Sequence, residues 1–134
     1  MSVEAAILKL QSKAGALTGM KAAPDEPPES INVFPFTVSF EDSGSLANWT
    51  AQFGNELVVI VTQIHVSRQL LAKAIAVAYA YRDSFIKAVM SDPTLGGSVS
   101  TITAINWRFG RLAWGGIDTI GYEFRIGIKV DISP

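Results

Sequence analysis

The stretch GYEFRIGIKVDI, Gly121–Ile132, decides the fold class. Tyr122, Phe124, Ile126, Ile128, Val130 and Ile132 alternate with Glu123, Arg125, Gly127, Lys129 and Asp131. A period of two held over this length is a strand with one face in a core and the other wet or shared. Moving toward the N-terminus, a Gly-rich segment, Phe109–Thr119, separates this strand from another at about Ser98–Trp107. Before that, Asp92-Pro-Thr-Leu-Gly-Gly97 is a break with a mechanism: the proline stops a helix, and the glycines permit backbone angles that other residues resist.

The helix that ends there is expected from about Ser67 to Ser91, roughly 35 Å at ~1.5 Å per residue. Steps of 100° gather Gln69, Lys73, Asp83, Ser84 and Lys87 into one polar stripe filled in by Ala76 and Ala80. The rest is apolar except Arg82, which falls mid-arc among Leu71, Ile75, Ile86 and Val89. An arc that wide calls for cover on more than one side, from the N-terminal helix or from a neighbouring subunit. An unpaired guanidinium within it is expensive to desolvate, so Arg82 is expected to find a carboxylate or carbonyl partner.

Two more strands precede this helix. In Ile31–Glu41, Phe34, Phe36, Val38 and Phe40 share one face against Val33, Pro35, Thr37 and Ser39. Pro35 cannot donate to a ladder, which places this strand at an edge or beside a bulge. Leu57–Val66, LVVIVTQIHV, is the second, apolar on both faces in its first half. Between them Asp42–Asn55, DSGSLANWTAQFGN, shows neither period and reads as a long loop carrying two large rings, Trp49 and Phe53. Such a loop, with little local core for its rings, is expected to order on docking against a partner. At the N-terminus, residues 2–18 form a helix capped by Ser2, with Val3, Ile7, Leu10, Ala14 and Leu17 on one face. Residues 21–30, KAAPDEPPES, with three prolines and three carboxylates, make an extended acidic connector.

The order is therefore α-β-β-α-β-β. Strands paired without crossovers predict an α+β fold, a two-layer sandwich of a mostly antiparallel four-stranded sheet with helices on one face. The 134 residues, 49% of them apolar, suit one domain: an N-terminal helix at 1–20, the connector at 21–30 and an α+β core at 31–132.

Composition narrows the function classes. With no cysteine, thiolate nucleophiles, redox pairs and cysteine zinc sites are excluded. Eleven basic against twelve acidic residues leave a net charge of -1, which argues against a domain that binds chiefly by neutralising phosphates. No run reaches the ~18 uninterrupted apolar residues of a membrane span, and the first residues lack a secretory pattern, so a soluble protein is expected. Mean hydropathy of +0.28 is high for a small soluble monomer and points to apolar surface covered by partner chains.

No motif assembles a catalytic constellation. His65 has no acid or serine at motif spacing and reads as a packed or surface imidazole. GxSxG, P-loop, HExxH, EF-hand and GxGxxG patterns are missing. The carboxylates Asp25, Glu26 and Glu29, and again Glu41 and Asp42, sit in Pro- or Gly-rich connectors and read as solvated charge. Asn106–Gly116, NWRFGRLAWGG, interleaves Arg108 and Arg111 with Trp107, Phe109 and Trp114. That make-up fits a stacking surface for single strands, hairpin packing or a protein interface. No enzyme, cofactor or metal is expected.

The order of parts, the passage Ile64-His-Val-Ser-Arg68 with Leu70-Leu71 after it, Tyr81-Arg-Asp83 within the helix, and Asp92-Pro-Thr-Leu-Gly-Gly97 leading into a strand resemble the tail terminator (tail completion) proteins of long-tailed, siphovirus-type bacteriophages. The likeness spans roughly Ile31–Ile132. It implies a structural virion protein of the tail neck, assembled in the host cytoplasm. Its subunits form a hexameric ring that caps the head-proximal end of the tail tube, stops tube polymerisation and meets head completion or connector proteins. DNA passes through the lumen without sequence-specific binding, and no membrane is involved. A domain of this length has a radius of gyration of about 14 Å, and six in a ring leave an opening wide enough for a duplex. The interface candidates are Trp49, Phe53, Arg82, Arg108, Arg111 and Trp114. Another phage neck component, or a small ligand- or RNA-binding α+β domain, are the alternative readings.

Overall fold

The computed structural model describes residues 1–68 and 71–132. Its elements are α1 (Val3–Gly15), β1 (Phe36–Ala47), β2 (Gly54–Val66), α2 (Leu71–Met90), β3 (Thr101–Trp114) and β4 (Ile117–Ile132). The four strands form one sheet in the order β1-β2-β4-β3 with every neighbour antiparallel. Together with the two helices this is the expected α+β arrangement.

Side-chain alternation explains the layering. Val58, Ile60, Ile64 and Val66 of β2 and Tyr122, Phe124, Ile126, Ile128 and Val130 of β4 point to the same side of the sheet. There they meet Ala6, Leu10 and Ala14 of α1 and Ala74, Ala78, Tyr81, Phe85 and Val89 of α2. Phe85 lies against Phe124 with ring centroids 4.7 Å apart. Each large side chain so buried contributes about 2 kcal/mol, which is why the faultless alternation of β4 holds its register beside β2.

The helices start and stop for local reasons. Ser2 accepts the Ala5 amide at 3.0 Å and caps α1. The turn after α2 closes through Asp92, whose carboxylate accepts the Gly96 amide at 2.9 Å and pairs with Lys13 of α1 at 3.1 Å. These contacts, the Gly96 amide first, hold the Asp92 carboxyl below its ordinary value. Leu95, Gly96 and Gly97 adopt left-handed backbone angles, and Leu95 is driven fully into the core.

The strands run further than their sequence patterns. The segment Asp42–Asn55, expected as a long loop, is instead mostly hairpin: β1 continues to Ala47 and β2 begins at Gly54. Its residues are exposed on both sides, so no apolar alternation marks them, and pairing with Asn55–Val59 keeps the chain extended. Thr50 shapes the short turn: its amide donates to the Phe53 carbonyl, and its hydroxyl accepts the Gln52 and Phe53 amides at 3.2 Å. Likewise the Gly-rich stretch after Trp107 is not a separate segment but the continuation of β3. A two-residue Gly115-Gly116 turn closes it, with both φ values positive, as a tight hairpin requires. The first strand begins only after Pro35, at Phe36, and β1 is an edge strand as that proline predicts.

The face away from the helices carries a second, smaller core. Phe36 and Val38, expected on an aromatic core face, turn away from the helices yet are fully buried, as are Val61 and His65 beside them. Their cover is the tip of the β3–β4 hairpin, which curls back over the sheet until Trp114 lies 5.8 Å from Phe40. Leu112 and Thr119 are buried with it. The bend occurs where Gly110 pairs with Gly121. A Cβ on Gly121 would run into the Ile64 carbonyl oxygen, so only glycine lets the ribbon approach β2 this closely.

The acidic connector packs rather than floats. The Thr37 amide donates to the Ala22 carbonyl, the Trp114 indole donates to the Pro28 carbonyl at 2.8 Å, and Gly115 leaves space for the Glu29 backbone.

Candidate functional site

The one histidine is built into the second core. Phe36 stacks on it at 4.3 Å, Nδ1 lies 2.5 Å from the Thr119 hydroxyl, and Nε2 lies 2.8 Å from the Gln63 side-chain oxygen. Both ring nitrogens are taken, no carboxylate orients the ring, and no path leads to it from solvent. Burial pushes the imidazole down to about 4, so it is neutral at physiological pH. The arrangement clamps the curled hairpin to β2. A comparable polar knot ties α1 to the sheet: Gln11 donates to the Pro24 and Thr37 carbonyls at 2.8 Å and accepts from Ser39, which also meets Thr62. Sequence reasoning missed Gln11 and Thr119. The only available signal was a polar residue at core spacing.

Among the described residues no cluster of His, Asp and Glu is placed to hold a metal ion, and no helix is long and apolar enough to cross a membrane. What the fold does assemble is exposed surface of three kinds.

The tip of the β1–β2 hairpin is apolar. Trp49 is 66% exposed and Phe53 45%, and Leu46 and Ile132 stand beside them with similar exposure. Both candidate rings are thus on one protrusion, held by the Thr50 turn and not on a long loop.

The second surface joins α2 to β3. Alternation along β3 sends Ile105, Trp107, Phe109 and Arg111 to the helix side of the sheet, and Arg108 and Trp114 to the other. The sequence run of arginines and rings is therefore divided between two faces and does not form one stacking platform. On the helix side Tyr79 meets Phe109 at 5.8 Å, and the Arg82 guanidinium lies 5.1 Å over the Trp107 ring. Arg82 also pairs with Asp83 of its own helix at 3.0 Å. It does have a carboxylate partner, but at the margin of the apolar face: the helix buries a narrower stripe than expected and leaves Leu71, Val77, Tyr79 and Met90 exposed. Gln69 of the polar stripe and Leu70 of the strand-to-helix passage lie outside the described residues. On the opposite face Arg108 pairs with Glu123 at 3.0 Å, and Trp114 is spent on Phe40 and Pro28. Arg111 is exposed and enters no ion pair among the described residues.

The third surface is a groove of about 620 Å³ beside β1. Val3, Ile7 and Leu8 of α1 and Pro27 of the connector form an apolar floor, the β1 chain from Ser39 to Glu41 forms one wall, and Glu4, Asp25, Glu26 and Glu41 rim it. Asp25 and Glu26 of one carboxylate cluster and Glu41 of the other, far apart in sequence, converge here with Glu4 of α1. Asp42 stands outside it, paired with Arg125 at 2.6 Å from the bulged position of β1.

No protein-family model matches the chain, and a search of curated proteins finds no match to it.

Proposed function

We propose that the protein is a structural component of a phage tail neck, a tail terminator whose subunits form a ring on the head-proximal end of the tail tube and end its growth. The observation that supports this reading best is the apolar tip of the β1–β2 hairpin. Trp49, Phe53 and Leu46 stand on a shaped turn with no core of their own to enter. Large exposed rings on a rigid protrusion are the make-up of a protein-docking element, since they bring much apolar area to an interface at little ordering cost. The α-β-β-α-β-β order, with its Asp92-to-Gly97 turn between α2 and β3, is the framework on which the sequence resemblance rests. In this reading the tip docks on the last ring of tube protein, and the opposite end of the sheet faces the head completion or connector protein.

The test is capping. Purified protein mixed with polymerising tail tube protein should stop tubes at a set length and appear as added density at one end in negative stain. Trp49→Ala should weaken capping about tenfold or more while leaving the unfolding midpoint of the free subunit unchanged, because two-thirds of the side chain is already in water. Tubes that grow unimpeded with the wild-type protein would remove the assignment. A Trp49→Ala protein that caps normally would remove the tip from it.

A further inference from the structure

We infer that the edge of β3 on one subunit docks into the acidic groove beside β1 on the next, so that copies join head to tail through unlike edges of the same sheet. The inference rests on the ring reading above and supplies its lateral contact.

Both halves of the contact are sheet edges, β1 beyond the point where the connector pairs at Phe36 and Thr37, and β3. In the order β1-β2-β4-β3, β1 and β3 are the two outer strands, and each leaves one side of its backbone without a strand partner over most of its length. The two edges lie on opposite sides of the subunit. A contact between unlike, opposite patches is heterologous, the kind a ring requires. β1 and β3 also run in opposite directions, because three antiparallel steps separate them. Rotation about an axis along the strands therefore brings β3 of one copy antiparallel beside β1 of another.

Charge and layer both match. The groove rim carries four carboxylates and no cation, whereas the helix side of β3 carries Arg111 and no acid, Arg108 lying on the other face with Glu123. The groove opens on the helix side of the sheet, between α1 and β1. The exposed members of β3 on that side are Trp107, Phe109 and Arg111, with Tyr79 and Arg82 of α2 beside them. Rings over Val3, Ile7 and Leu8, with guanidinium at the carboxylate rim, would cover apolar area on both partners and give Arg111 its missing counter-ion.

A paired charge reversal tests this. Arg111→Glu puts an acid on the β3 edge in place of its free cation, and the double variant Asp25→Lys/Glu26→Lys takes the groove rim from four negative charges to neutral, with two cations beside Glu4 and Glu41. Each alone should lower self-association, followed by sedimentation velocity and light scattering, by about tenfold or more. An equal mixture of the two should assemble again, since in alternating copies the two altered edges meet each other with their charges exchanged and the two unaltered edges meet as in the wild type. Lys87→Glu on the outer stripe of α2 serves as a charge control and should assemble as wild type. All the altered residues are exposed, so thermal unfolding should stay within a degree or two of wild type. If both variants assemble like wild type, or the mixture fails to recover, the edge contact is wrong while the tail-terminator reading stands. If the mixture recovers but no preparation caps a tail tube, the edge contact stands and the tail-terminator reading falls. A wild-type chain that stays monomeric in solution and on tubes overturns both.

Discussion

Acid should loosen the clamp that His65 makes. His65 is the single histidine, and the folded protein holds its imidazole neutral down to about 4, against 6.5 in an unfolded chain. The cause is burial: the ring lies between Phe36 and the hairpin tip with only the uncharged Thr119 and Gln63 at its nitrogens. Above 6.5 both states are neutral and the stability is whole. Between 6.5 and about 4 the unfolded chain binds a proton that the folded one refuses, so stability falls as pH falls, by about 1.4 kcal/mol per pH unit. The full loss is about 3 kcal/mol, reached below about pH 4, and about 2 kcal/mol of it should have gone by pH ~5. Urea unfolding at several pH values from ~7.5 to ~5 measures this directly, before most carboxylates titrate. His65→Gln should show a flat profile over the same range, with lower stability at neutral pH from the lost ring stack. A wild-type profile as flat as the variant's, or a variant that keeps the wild-type slope, would refute the burial argument.

Two further changes probe the packing. Gly121→Ala puts a methyl against the Ile64 carbonyl and should cost about 2 kcal/mol or more, read as a lowered denaturant midpoint. Gly127→Ala presses on the Thr103 hydroxyl, the end of a side chain that can turn, with the Ala104 backbone at ordinary contact distance, and should cost clearly less; equal costs would argue against a tight bend at Gly121. Thr37→Val replaces a buried hydroxyl that has no hydrogen-bond partner among the described residues and should raise stability by about 1 kcal/mol in the same assay. A loss in its place would mean that the hydroxyl is satisfied in solution.

The candidate surfaces were legible in part. Trp49, Phe53 and Arg111 are named by the sequence and stand exposed. Arg108 and Trp114 come from the same run as Arg111, but a strand places them on the other face, where Glu123, Phe40 and Pro28 occupy them. Glu4, Asp25, Glu26 and Glu41 look like scattered solvated charge until α1, the connector and β1 are brought side by side.

What the sequence by itself determined is the succession of elements. The unbroken alternation from Gly121 to Ile132, the helical spacing before Asp92-Pro93 and the Ser2 cap are each set by contacts within a few residues, so local chemistry writes them openly. Only the tertiary structure decided that β3 and β4 curl back over the sheet and close a second core on Phe36, Val38 and His65. His65 and Thr119 are separated by 54 positions, and the glycines that let the ribbon bend have no side chains with which to announce a partner. Their meaning depends on how near another backbone comes, a property of the folded chain and not of any window of residues.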